Sequence, residues 1–106
     1  MAEFTFLSSR DPVDGDRMAH QLAHQLALEN HTVTLFLVEN GALLARSGVL
    51  DDLRRQLVEA GVEILADSFA LAERGITSER LAEGVSEAGL DVVIDHLAAG
   101  RKVTWH

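Results

Sequence analysis

The chain has 106 residues, a formal net charge of −8, 47% hydrophobic residues and no cysteine. That length holds one core rather than two, and the apolar fraction excludes a disordered chain. An acidic chain repels phosphate backbones, so no nucleic-acid partner is expected, and the missing cysteines exclude disulfides, thiolate metal sites and a cysteine nucleophile.

The opening stretch MAEFTFLSSRD has no basic region followed by an apolar one, and no apolar run approaches the roughly 20 residues that span a bilayer. The expectation is a cytoplasmic protein without membrane contact. Glu3 to Ser8 alternates and is rich in Phe and Thr, which predicts the first strand. Ser9 to Gly15 carries the only proline and reads as a loop, and Asp14 or Asp16 is the expected cap of the helix that follows.

That helix is predicted from about Asp16 to Asn30. Met18, Ala19, Leu22, Ala23, Leu26 and Ala27 recur at helical spacing as its buried face. Arg17, His20, Gln21, His24, Gln25 and Glu29 fall on the polar face, and Asn30 suits a left-handed stop. Thr32 to Val38 is a continuous β-branched and aromatic run, the pattern of an interior strand covered on both faces. Glu39-Asn40-Gly41 turns into a short helical piece, Ala42 to Arg46. A second full helix is predicted from Leu50 to Ala60, with Leu50, Leu53, Leu57 and Ala60 on one face and Gly61 as its stop.

Val62 to Ala66 reads as the third strand. It halts at Asp67-Ser68, and a short helical pattern then runs to Arg74-Gly75. Thr77 to Ala82 predicts another short helix and Gly84 to Ser86 a brief strand. Leu90 to Ala99 predicts the last helix, with Leu90, Val93, Ile94 and Leu97 inward, and Arg101 to Trp105 the closing strand. Alternating strands and helices with short links imply right-handed crossovers. The fold class is α/β, one domain over residues 1–106: a three-layer α/β/α sandwich with a parallel, flavodoxin-like sheet of about five strands.

In such a sheet every strand's carboxyl end faces one edge, so Ser8, Asn40, Gly41, Asp67 and Ser68 are candidates for a shared pocket there. The sequence contains no glycine-rich dinucleotide fingerprint, no phosphate-binding P-loop and no nucleophile elbow, and no cofactor is expected. Asp67 is the one catalytic candidate. Its alternative role is to cap the helix it precedes, where a negative charge suits the macrodipole. His20 and His24 stand four apart, a spacing that presents two imidazoles to one metal. With Arg17 one turn earlier there is no third ligand, so no metal site is expected.

Taken together, the first strand and helix, the strand ending in Glu39-Asn40-Gly41, the corner ending in Arg74-Gly75-Ile76 and the tail Arg101-Lys102-Val103-Thr104-Trp105 carry a resemblance. In their order and spacing they resemble the DsrE/DsrF/DsrH-like (Tus-like) sulfur-relay proteins over nearly the whole chain. The resemblance implies a small α/β subunit that forms a homo-oligomer, a trimer or hexamer, or a hetero-oligomer with a related subunit. It adds Arg74 and Gly75 to the pocket candidates. It also implies an acceptor cysteine just after the third strand, and this chain has Asp67 there. A carboxylate cannot carry a persulfide. The expectation is a non-catalytic oligomeric subunit or binding module, the alternative being a small-molecule binder or enzyme that uses the Asp67 crevice.

Overall fold

The computed structural model describes residues 2–13 and 17–106. Five strands form one parallel sheet: β1 (Glu3–Ser8), β2 (Thr32–Leu37), β3 (Glu63–Asp67), β4 (Val85–Ala88) and β5 (Lys102–Trp105), in the order β4-β3-β2-β1-β5. The helices are α1 (Met18–Leu28), α2 (Asp51–Glu59), α3 (Ser68–Glu73) and α4 (Asp91–Ala98), with 3-10 helices at Glu39–Ala45 and Ser78–Arg80. These elements follow the expected order with boundaries moved by a few residues, and β3 takes in Asp67 as its last residue. The cap expected at Asp14 or Asp16 lies outside the described residues. No helix among the described residues is long and apolar enough to cross a membrane.

The first four strands step across the sheet one after another, so their right-handed crossovers lie on the same face. Phe6, Val33, Leu35, Leu37 and Ile64 point into that layer and meet Ala19, Ala23 and Ala27 of α1, Leu57 of α2 and Leu71 of α3. The final crossover reverses direction and carries α4 to the other face. There Val93 closes over Leu7, Phe36, Val38 and Leu65.

Helix α1 corrects the predicted face. Its buried stripe is Ala19, His20, Ala23 and Ala27, whereas Met18 and Leu22 are exposed. Alanines let the helix backbone approach the sheet closely. The helix therefore rotates to bring its small side chains inward, which carries His20 from the expected polar face to 1% exposure. Asn30 ends the helix in the left-handed region as expected, at φ 69°.

Two further corrections share a cause, which is polar chemistry beneath a helix. On α2, Leu57 is buried as expected, but Arg54 is buried beside it. Its guanidinium donates to the carbonyls of Leu44 (3.1 Å) and Val49 (2.9 Å) and pairs with Asp51. That donor and the Gly48 N–H hold the Asp51 carboxyl below the usual carboxylate range. On α4, Val93 turns inward, while Leu90, Ile94 and Leu97 are exposed. The half-buried His96 faces the sheet instead, its Nδ1 sharing a 2.7 Å hydrogen bond with the Thr5 hydroxyl.

Candidate functional site

The carboxyl edge of the sheet is built by three strand ends. Ser8 closes β1 and accepts the Val38 N–H on its carbonyl at 2.9 Å. The chain leaving β2 turns directly over that carbonyl. A Cβ on Gly41 would lie 1.9 Å from the Ser8 oxygen, so only glycine allows the 3-10 helix to start there. Asn40 lies in the same turn, and its Oδ1 accepts from Arg74 Nη2 at 2.9 Å.

At the end of β3, Asp67 is 9% exposed, and its Oδ2 accepts the Ala70 N–H at 3.1 Å, the cap of α3. That is the carboxylate's one hydrogen bond among the described residues. Ser68 donates from Oγ to the Ala88 carbonyl at 3.1 Å, tying the corner to β4. Arg74, at the end of α3, reaches back to the Ala70 carbonyl with Nη1 at 3.1 Å while Nη2 holds Asn40. Gly75 follows at φ 65°, the left-handed stop of that helix.

The sequence-predicted residues thus divide among neighbouring places on one edge. Ser8 and Gly41 abut, and Asn40 is bonded to Arg74. Ser68 and Gly75 line a concavity of about 300 Å³ that Glu87 also borders. Arg74 and Gly75 line a second, of about 410 Å³, together with Arg46 and Arg80. Ser8 lines a third, of about 300 Å³, with Arg10 and Trp105. Asp67 lines none of these three. His20 is buried on α1 and His24 half-buried one turn on, and among the described residues no group of three His, Asp or Glu side chains is placed to hold a metal ion.

Two features of this edge escape sequence reasoning. The concavity at Ser8 sits where the strand order reverses, between β1 and β5, which is where open α/β sheets receive ligands. Backbone bonds fix it: the His106 N–H donates to the Leu7 carbonyl at 2.7 Å, and the Ser9 N–H to the His106 carbonyl at 2.8 Å. Of its lining, only Ser8 is a pocket candidate from the sequence. The second feature is the meeting of Arg46 with Arg80, made by an antiparallel bridge between Arg46 and Leu81 that no periodicity announces.

The sequence profile of the DsrE/DsrF-like family matches residues 2–105. The chain belongs to the DsrE/DsrF-like family. Solved structures share the fold of this DsrE-like chain. One is MTH1491 from Methanobacterium thermoautotrophicum, a protein of unknown function, at a TM-score of 0.87 and 18% identity over 100% of both chains. Another is YchN from E. coli, at 0.85 and 19% over 100% of both chains. A third, BT1422 from Bacteroides thetaiotaomicron, gives 0.81 and 16% over 98% of this chain and 94% of that one. No curated protein matches the sequence.

Proposed function

We propose that this DsrE-like chain is a cytoplasmic, non-catalytic subunit that assembles with copies of itself or with a related subunit, rather than a carrier of sulfur. One observation carries the reading. At the corner where the family resemblance places an acceptor thiol, the chain has a carboxylate bonded to the first turn of α3, and it has no cysteine elsewhere. The self-association half is supported by the apolar stripe Leu90, Ile94 and Leu97 on α4, with Ile94 66% exposed.

Native mass spectrometry of the purified chain tests the assembly. The expected result is a discrete oligomer that Ile94→Glu converts to monomer with its fold intact; a monomeric wild type overturns self-association. Incubation with radiolabelled sulfane sulfur tests the rest, and covalent incorporation would sink the non-carrier reading. A capping Asp67 also predicts that Asp67→Asn changes stability by a few tenths of a kcal/mol while Asp67→Ala costs about 1 kcal/mol.

The second reading, a small-molecule binder at the carboxyl edge, draws support from the concavity where Ser8 meets Arg10 and Trp105. A discrete extra mass on each subunit is its signature. With the fold intact, loss of that mass in Arg10→Gln would place the ligand in this concavity, and loss in Asp67→Asn would assign it to the carboxylate instead.

A further inference from the structure

We propose that the basin bounded by Arg46, Arg74 and Arg80 is an anion site for a phosphate-type oxyanion, with phosphate monoesters as the ligand class. In a chain of net charge −8, three arginines line a single concavity of about 410 Å³, and among the described residues its one lining carboxylate is Glu79. Three arginines against Glu79 in the lining and Glu73 beside Arg74 still leave a positive excess of about one charge, which an oxyanion complements. Cations that outnumber their carboxylates repel one another, and an oxyanion between them removes that cost.

The three arginines are held in place by different means. Arg74 is fixed by its bonds to the Ala70 carbonyl and Asn40, so its planar fork is oriented before any ligand arrives. Arg46 is anchored only through Nε, which donates to the Leu43 carbonyl at 3.2 Å, and both of its terminal amino groups remain without a described partner. Arg80 makes no side-chain hydrogen bond or ion pair among the described residues. Its backbone is clamped to the Arg46 segment: the Ser47 N–H donates to the Arg80 carbonyl at 3.2 Å, and the Ala82 N–H to the Ala45 carbonyl at 2.8 Å.

Two guanidiniums therefore keep free donors beside a third of fixed orientation, the arrangement that binds phosphate oxygens in pairs. Ser47 adds a hydroxyl to the same lining. Glu73 stands 3.8 Å from Arg74 Nη1, beyond hydrogen-bond reach, and does not occupy the fork. Gly75, which has no side chain, and the buried Ile76 complete the lining. Inorganic phosphate fills only part of a space this size. That leaves room for the organic group of an ester, within the volume range of small-molecule sites.

The test is a titration of the full chain with inorganic phosphate and with pyrophosphate, sodium chloride holding ionic strength constant. Thermal unfolding and backbone amide NMR are the readouts. The expected result is a saturable rise in Tm, with shifts concentrated at Ser47, Gly75, Ile76 and Arg80. Arg46→Gln combined with Arg80→Gln weakens binding by roughly a hundredfold, since each lost charged donor is worth about tenfold.

Arg55→Gln combined with Lys102→Gln removes the same charge away from the basin and leaves binding within a factor of about two of wild type on screening grounds. Equal weakening by the two pairs reduces the effect to net charge and overturns the site. Shifts centred elsewhere, or no saturation with either anion, overturn it too. Should the basin pair fail to fold, Arg80→Gln alone serves, because that side chain supports no described contact. If the basin pair alters the oligomeric mass, the guanidiniums hold acidic side chains of a neighbouring copy, which overturns the small-anion reading.

Discussion

The two faces of the sheet are built on opposite principles. One is covered by α1, α2, α3 and the first 3-10 helix, and its side chains form one continuous apolar layer in which Ala23, Leu35, Leu44 and Leu57 are wholly buried. The other is covered, among the described elements, by the single short helix α4. Its buried apolar cluster, Leu7, Phe36, Val38, Leu65 and Val93, lies mostly toward the carboxyl ends of the strands. Toward their amino ends the same face is polar. Arg101 joins Glu3 through Nε at 3.1 Å and donates to Thr34 at 3.1 Å, Thr34 donates to Glu63 at 2.9 Å, and Thr5 meets His96. The thick face supplies burial, which is where most folding free energy originates. The thin face aligns α4 by hydrogen bonds and leaves an apolar stripe uncovered.

The largest effect that separates the faces is a core truncation. Leu57→Ala on the thick face is expected to cost about 2–5 kcal/mol of unfolding free energy. Ile94→Ala on the thin face should change the monomer's stability by no more than about 0.5 kcal/mol, as for other surface substitutions. Chemical denaturation at low protein concentration measures both. A loss at Ile94 that grows with protein concentration would place the stripe in an interface and sharpen the contrast. A concentration-independent loss as large as that of Leu57 would break it.

An intermediate effect is expected at the polar seam. Thr5→Val keeps the side-chain shape but removes the hydroxyl partner of His96, at a cost of about 1 kcal/mol. The same denaturation experiment, with amide exchange across α4 as a second readout, locates the loss. Protection should fall on α4 and β5 and stay unchanged on α1.

The smallest effect is a pH dependence. Burial beneath α4 and then the Arg101 charge hold the His96 imidazole below its ordinary pKa of 6.5, against the opposing pull of Glu63, Asp95 and Glu3. The unfolded chain therefore takes up this proton before the folded one. The contribution is intact above pH 6.5 and is lost as the pH falls from there through the folded-state value. Stability followed from pH 7.5 downward should decline across that window, and His96→Gln should flatten the decline. An unchanged slope in the variant would free His96 of any part in it.

Much of the fold was legible in the sequence because period and punctuation are local properties. The β-branched run at Thr32–Leu37, the alternating Glu3–Ser8 and the stops at Asn30, Gly61 and Gly75 each state their structure within a few residues. Asp67 as a cap was readable for the same reason, since a cap reaches only a turn ahead. The directions of α1 and α4 were misread because apolarity alone does not rank neighbours. Alanines that allow close approach displaced Met18 and Leu22 from the buried face, and a threonine on the sheet drew His96 inward where Ile94 was expected.

The candidate site was legible as an edge and not as a set of pockets. Parallel strands had to bring Ser8, Asn40, Gly41, Asp67 and Ser68 to the same end of the sheet, which follows from the crossover rule. Which of them touch depends on the strand order and on the paths of the connections, and these are long-range choices. By itself the sequence determined the class of fold, the family and the absence of a thiol at the corner, because each is encoded in residue type and local spacing. Only the tertiary structure decided that Arg46 and Arg80 share a basin with Arg74, that Ser8 lies at the reversal of strand order, and that α4 leaves its stripe outside. Each of these needs segments far apart in the chain to meet, and that meeting is settled by packing the whole sheet at once.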